Sequence, residues 1–475
     1  MSNDGTKTDA SGVTVNGNVI TFTQDGTYLL KGDLDDGQIV VDLPGESDKV
    51  QLVLDGVNVT NGSSAGIYVK NADKVFVTTT EGSENNFSVT GEFVQTDDNN
   101  VDGAIYSKDD IVFNGEGALK VSSESGHGIV SKNDLKITSG TYEIASGSKA
   151  LQGKDMVGIA GGNINIDAGT DGIDSVNVVM YDGDMDITAG DEGINADVSD
   201  ENTEQKVTLA GGEISIISGD EGIQTTGDVV TDGAELNIAA GGGSENAAEH
   251  FDDMAFGQMG GWSGRGQGGP QFGGEPDNTG EINFDTDDDE TAGDGSKNKG
   301  IKANNITLKS GNVTIDSQDD AIHANGDITA EGGSYDITAG DDGLHADASL
   351  TINGGAFTIS SWEGMEATVV TINDGDITIS AKDDGINAVQ KVNDLSPVIE
   401  INGGNINIEM AQGDTDALDT NGDLHIKRGT VSIDAQFPFD YDGEGVLSGG
   451  TVTVNGEQIT ELYNQFMGGG PGGMM

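Results

Sequence analysis

Cysteine is absent from the 475 residues, so neither a disulfide framework nor thiol chemistry is available. Proline is scarce, at 6 residues, and only 21 Lys and Arg stand against 83 Asp and Glu, a formal net charge of −62. Phosphate-neutralising surfaces need clustered Lys and Arg, so no nucleic-acid partner is expected. No run of 18 apolar residues occurs, so no transmembrane segment is expected. The start, Met1-Ser2-Asn3-Asp4, lacks the basic and apolar regions of a signal peptide. The chain is then either cytoplasmic or a protein whose leader has been removed. The charge alone would point to disorder. Yet apolar residues make up 34%, and with the 76 glycines they reach about half the chain, which is ordinary for a folded domain.

What the chain does have is a repeat. One or two acids, then Gly or Ala, then Ile or Leu recur as Asp171-Gly172-Ile173, Asp191-Glu192-Gly193-Ile194, Asp220-Glu221-Gly222-Ile223, Asp319-Asp320-Ala321-Ile322, Asp341-Asp342-Gly343-Leu344, Asp383-Asp384-Gly385-Ile386 and Asp416-Ala417-Leu418. Weaker copies centre on Gly66, Ala104, Gly128, Ala150, Gly300 and Gly364, and the commonest spacing between centres is 21 to 22 residues. Within a repeat the rhythm has period 2, as in Asn163-Ile164-Asn165-Ile166 and Asp376-Ile377-Thr378-Ile379, which is the pattern of strands. The period is too short for a four-stranded propeller blade or a βαβ unit, and a leucine-rich template is missing. It fits one coil of a parallel β-helix, with three short strands per coil and coils about 4.8 Å apart. The expected fold is therefore all-β, a parallel β-helix of about thirteen coils of 21–22 residues behind an N-terminal β cap.

The same register divides the chain. Residues 1–60 are read as the β-rich cap and first strands, and 61–240 as the first half of the helix. A Gly/Asp-rich flexible insertion follows at 241–297, then the second half at 298–460 and a Gly/Met-rich tail at 461–475. A cap is needed because an open coil end is an exposed sheet edge.

Equivalent positions of successive coils stack, so spacing becomes adjacency. With the Gly or Ala as position zero, positions −2 and −1 carry Asp191/Glu192, Asp220/Glu221, Asp319/Asp320, Asp341/Asp342 and Asp383/Asp384, with Asp171 and Asp416 at −1. Position +2 adds Asp174, Asn195, Asn387 and Asp419, together with Gln224, His323, His345 and Glu366, and position +4 adds Asp197 and Asp347. Like charges at this spacing shift pKa values or demand a counter-ion. Hard oxygen ligands beside glycine turns suit Ca²⁺ at several sites, and zinc is less apt without cysteines. The opposing reading is a solvated acidic edge whose Asp residues serve the turns. Stacked His323 and His345 are read as neutral imidazoles, with a metal or substrate contact as the alternative.

A second column is basic. Position +4 of four consecutive rungs is Lys70, Lys108, Lys132 and Lys154, beside Tyr68 and Tyr106 at +2 of the first two. Ammonium groups and ring faces would suit an anionic sugar polymer. The plainer alternative is pairing with Asp110, Asp134 and Asp155, with snorkelling stems. No nucleophile elbow, P-loop or dinucleotide fingerprint is present, and no catalytic residue is assigned.

The run Gly26-Thr27-Tyr28-Leu29-Leu30, Asp36-Gly37-Gln38-Ile39-Val40-Val41, Val50 through Thr60 and Ile67 through Val77, with the recurrent acid-acid-Gly rungs, resembles the clostridial carbohydrate-binding β-helix family. The resemblance implies a right-handed parallel β-helix similar to pectate lyases, bound calcium, and recognition of cellulose or acidic sugars such as polygalacturonate without established lyase activity. The expectation is a non-catalytic, calcium-stabilised, extracellular or cell-surface polysaccharide binder, most simply a monomer. A calcium-dependent polysaccharide lyase, with Lys154 as base, and a purely structural surface adhesin are the alternatives.

Overall fold

The computed structural model describes residues 1–3, 5–45, 48–197, 205–247, 298–413 and 415–464. Most of the expected insertion, 248–297, and the tail from 465 lie outside the described residues. Among the described residues the protein is all-β: 44 strands join in one long sheet, and the only helical turn is a 3-10 turn at Ser244–Asn246.

The pairing follows the repeat. Asn163–Ala168, Ile173–Ser175 and Asn177–Met180 make up one repeat, and Asp184–Ala189, Ile194–Ala196 and Lys206–Leu209 the next. Each strand pairs in parallel with its equivalent, Asn163 with Asp184 and Ile173 with Ile194. Where the spacing is longer, the ladder still continues in register between the described strands. Asn177 pairs with Lys206 across the 197–205 connection, and Ile223 pairs with Ile301 across the insertion. The ladder starts inside the segment expected to be a cap. Val19–Phe22 pairs in parallel with Gln38–Asp42, and Gly26–Leu34 with Lys49–Asn61. Antiparallel pairing is confined to the ends of the ladder, at Val13–Asn16 with Val19–Phe22 and at Thr451–Val454 with Glu457–Ile459.

Alternation places one apolar face inward, and the register then stacks like on like. Ile164, Met185, Ile214, Leu236, Val313, Tyr335, Phe357, Ile377, Ile406, Val431 and Val452 follow one another through consecutive pairings. They belong to one core that runs from Ile20 to Val454. Each fully buried aliphatic side chain contributes about 1.5–3 kcal/mol. Tyr335 and Phe357 stack at 4.5 Å between ring centres, the aromatic version of the same column.

The Gly or Ala at the centre of the acidic motif is set by packing. A Cβ on Gly193 would lie 2.3 Å from Ile216 Cγ2 and 2.6 Å from the Gly222 carbonyl oxygen. At Ala321 the same position carries a methyl group and is fully buried. Gly193→Ala should therefore lower stability by about 1–3 kcal/mol through overpacking. A fall in thermal midpoint checks it, and an unchanged midpoint would show that the neighbouring rung yields freely.

Candidate functional site

The turn that carries the motif stacks as regularly as the strands. The backbone N–H at each centre donates to the carbonyl of the −1 residue one rung on: Ala150 to Asp171, Gly172 to Glu192, Gly193 to Glu221, Gly222 to Lys299, Gly300 to Asp320, Ala321 to Asp342, Gly364 to Asp384 and Gly385 to Asp416. Gly128 donates likewise to Lys149, and Asp342 is in register with Glu363. The −1 column therefore reads Lys149, Asp171, Glu192, Glu221, Lys299, Asp320, Asp342, Glu363, Asp384, Asp416. Eight carboxylates are interrupted by one lysine and headed by another.

The two lysines neutralise what they touch. Lys149 Nζ lies 3.1 Å from Asp171 and also bonds Asp174, which accepts from Gln152 Nε2 at 3.2 Å. Lys299, only 4% exposed, lies 3.1 Å from Asp319 and 2.5 Å from Asp320. Burial works against the ionised form of Asp320, but Lys299 and the histidines outweigh it and hold this carboxyl well below its ordinary range.

Beyond Lys299 the +2 column takes part. His323 Nδ1 lies 2.8 Å from Asp320, and His345 Nδ1 lies 2.7 Å from Asp342 and 3.1 Å from Glu366. His345 Nε2 faces Asp347 at 3.4 Å, and Lys391 reaches Glu366 at 2.8 Å. The imidazoles stack at 4.5 Å, as the register requires, but their surroundings shift them differently. Burial lowers the His323 pKa despite Asp320. Burial acts in the same sense on His345, yet Asp342, Asp347 and Glu366 outweigh it and raise its pKa well above the ordinary value. The two stacked rings are therefore shifted in opposite directions, His345 towards its protonated form and His323 towards its neutral one.

Two oxygen clusters lie before Lys299. Asp171, Asp191 and Glu192 can bring one carboxylate oxygen each within 4.8 Å of one another, and so can Glu192, Asp220 and Glu221. Among the described residues no Lys, Arg or His forms an ion pair with Asp191 or Glu192. Burial, reinforced by Asp171, raises the Glu192 pKa to about 7. Asn195 Nδ2 lies 3.5 Å from Asp171, and Asp197 is bonded through its N–H to Asn195. A hard divalent cation fits this donor set. Asp319, Asp320 and Asp341 also converge, but Lys299 already occupies that group.

Further along, burial and then neighbouring carboxylates push Glu363 and Asp384 well above the ordinary carboxyl range. Asp384 accepts from the Asp416 N–H at 3.2 Å, Asn387 donates to Glu366 at 3.2 Å and to Glu363 at 3.3 Å, and Asp383 accepts from the Trp362 indole at 3.2 Å. Asp419 lies in register with Asn387. Lys149, Lys299 and Lys391 belong to this network but escape a search for acid pairs. The signal for the two column lysines is their place one residue before a weak Gly or Ala centre.

The basic stripe corrects the expectation for the aromatic pair. Lys108, Lys132 and Lys154 donate their backbone N–H groups to the preceding rung, so the four lysines do succeed one another. Tyr68 and Tyr106, however, are 2% and 1% exposed. The 90–102 segment covers them: Phe93 and Val101 pack on the rings, Tyr68 Oη donates to Asp97, and Tyr106 Oη bonds the Asn99 carbonyl. Their rings instead receive Lys70 and Lys132 at 4.9 and 5.4 Å and are closed to a sugar face. Lys70 pairs with Asp97. Asp110 and Asp134 pair with Lys74 and Lys136, outside the stripe.

Comparison with known proteins supplies the family. Residues 16–178, 175–343 and 342–463 each match the family described as carbohydrate-binding domain-containing protein. The chain belongs to that family. A relative of the same description from Acetivibrio thermocellus is 40% identical over 147 residues, 30% of this chain. The match spans about half of that relative's own length, 51%. Among solved structures, the gadolinium derivative of the polysaccharide lyase-like protein from C. thermocellum is 33% identical, with a TM-score of 0.43 over 49% of this chain and 91% of its own. The three matched segments share the single core described above.

Two outcomes test the charge network. Folded-state pKa values of Glu192 (about 7) and Asp342 (about 8) exceed the unfolded ones, so the native state holds more protons between the two values. His345, raised as well, adds stability below its unfolded pKa that is lost as pH rises through the folded value. In chelator-treated protein the thermal midpoint should therefore fall from pH 5 towards pH 8, and Glu192→Gln should flatten that slope. A pH-independent midpoint would refute this electrostatic account. Lys299→Met strands two carboxylates and should cost about 3–5 kcal/mol, read by denaturant unfolding.

Proposed function

We propose that the protein is a non-catalytic, calcium-stabilised binder of plant cell-wall polysaccharide. In this reading the coiled sheet is a right-handed parallel β-helix of about thirteen coils, capped at its N-terminal end, acting outside the cell as a monomer. The observation that carries the proposal is the family match, which extends over most of the chain under a carbohydrate-binding description.

The acid column supports the calcium part. Asp171, Asp191, Glu192, Asp220 and Glu221 would hold the cation, and its charge would relieve the repulsion that raises Glu192. Calcium would supply a structural cross-link between rungs, with no reaction step assigned to it. Cellulose and polygalacturonate are the polymers in view.

Elemental analysis of dialysed protein should find calcium. EDTA should lower the thermal midpoint and Ca²⁺ restore it, since a ligand of the native state alone stabilises by about 2.7 kcal/mol at a hundred times its Kd. Co-sedimentation with insoluble cell-wall polysaccharide should deplete the protein from solution, without release of unsaturated sugar. Failure to sediment with any polysaccharide would overturn the binding reading. An EDTA-insensitive midpoint would overturn the calcium.

A further inference from the structure

His345 is only 2% exposed, and acids surround its ring. Asp342, also buried, precedes it in its own rung, and Glu366 stands in register with it one rung on. His345 Nδ1 lies 2.7 Å from Asp342 Oδ2 and 3.1 Å from Glu366 Oε2. These three residues can each bring one donor atom within 4.8 Å of the others. At the other ring nitrogen, Nε2 faces Asp347 at 3.4 Å. His323 stacks on the ring from the rung before, 4.5 Å away and tilted by 21°.

Charge and donor type set this group apart from the acid clusters elsewhere in the column. Where Asp319, Asp320 and Asp341 converge, Lys299 bonds two of the three carboxylates. Around His345, Lys391 reaches Glu366 Oε2 at 2.8 Å, and Asn387 Nδ2 donates to Glu366 Oε1 at 3.2 Å. A carboxylate has about four lone-pair sites, so Glu366 can serve the lysine, the amide and a further cation together. The next cation of the +2 column, Lys302, stands beyond His323, two rungs from His345. With His345 neutral, Asp342, Asp347 and Glu366 against Lys391 leave two formal negative charges in excess, the charge of one divalent ion.

We infer that His345 Nδ1, Asp342 and Glu366 form a site for a borderline divalent transition-metal ion of the Zn²⁺ class, with Asp347 as the outer partner that orients the ring. The inference stands apart from the carbohydrate reading and from the oxygen cluster at Asp171, Asp191 and Glu192. The nitrogen selects the metal, because imidazole suits Zn²⁺ and its neighbours whereas calcium takes oxygen ligands. The distances fit as well. Zn–N and Zn–O bonds of about 2.0–2.2 Å place ligand atoms about 3.4 Å apart round a tetrahedron. Donors at 2.7 and 3.1 Å therefore need to open by less than about 1 Å to admit the ion. On binding, His345 gives its Nδ1 proton to solvent and keeps the Nε2 proton towards Asp347, the carboxylate–histidine–metal arrangement. The ion would tie the rung of Asp342 and His345 to the rung of Glu366.

The test is equilibrium dialysis of the full chain, stripped with chelator and then held in excess Ca²⁺, against Zn²⁺, paired with X-ray absorption at the zinc edge. Wild-type protein should bind zinc despite the Ca²⁺, and the absorption should show imidazole scattering, a readout that does not require any variant to fold. His345→Gln should abolish this binding. Asp347→Asn, at a half-buried position, should weaken it about 10–100-fold, the cost of removing an outer-shell partner. His425→Gln, on the strand Asp423–Ile426, should leave it unchanged. No zinc bound, zinc displaced by Ca²⁺, a shell of oxygen alone, or equal binding by wild type, His345→Gln and Asp347→Asn overturns the site and leaves the carbohydrate reading standing. Loss of zinc in His425→Gln places the ion elsewhere and overturns the site too.

Discussion

Parallel in-register stacking is the constraint on which the rest of this structure depends. Every residue in a rung meets its equivalent in the next, about 4.8 Å away. For apolar positions the consequence is favourable, and the unbroken column from Ile164 to Val452 is its product. For the turn beside it the consequence is a problem. An acid chosen for one turn is repeated above and below itself, and the carboxylates accumulate along the axis rather than dispersing over a surface.

The protein meets that problem in more than one way along a single column. Lys149 heads it, and Lys299 divides it where the ladder resumes after the insertion. His345, set between Asp342, Asp347 and Glu366, and Lys391 on Glu366 add further partners for the acids. Between Lys149 and Lys299 the Asp171, Asp191 and Glu192 oxygens converge without such a group on Asp191 or Glu192, and burial with Asp171 raises the Glu192 pKa to about 7. Charge balance, rather than acid density, thus distinguishes the stretches of the column from one another.

The all-β parallel architecture was legible because the repeat encodes it twice, in the alternation of strands such as Asp376–Ala381 and in the fixed distance between centres. The carboxylate pairs were legible for the same reason. Lys149 and Lys299 were not, because a column is read from its commonest residue, and a lysine in an acid position looks like a failed repeat when it is the counter-ion of its neighbours. Tyr68 and Tyr106 misled for the opposite reason. Their register is as expected, but register says nothing of what an inserted segment covers, and 90–102 closes over both rings. The start of the ladder at Val19 was hidden because Gln38 stands in register with the Gly66 centre, so the first rungs lack the Gly or Ala by which rungs were counted.

These departures bear on where function resides. Three successive stretches match one family, yet they share one core, so what matches three times is the repeat and not an independent domain. A uniform rung presents the same surface at each step and can set direction and spacing but not a particular place. Distinct places arise where a rung breaks the rule: a looped-out segment seals the tyrosines, a turn at 241–247 raises a wall, and Trp362 stands where an acid is expected. The repeat thus supplies a periodic surface, and its exceptions supply the irregular elements that single out particular places on it.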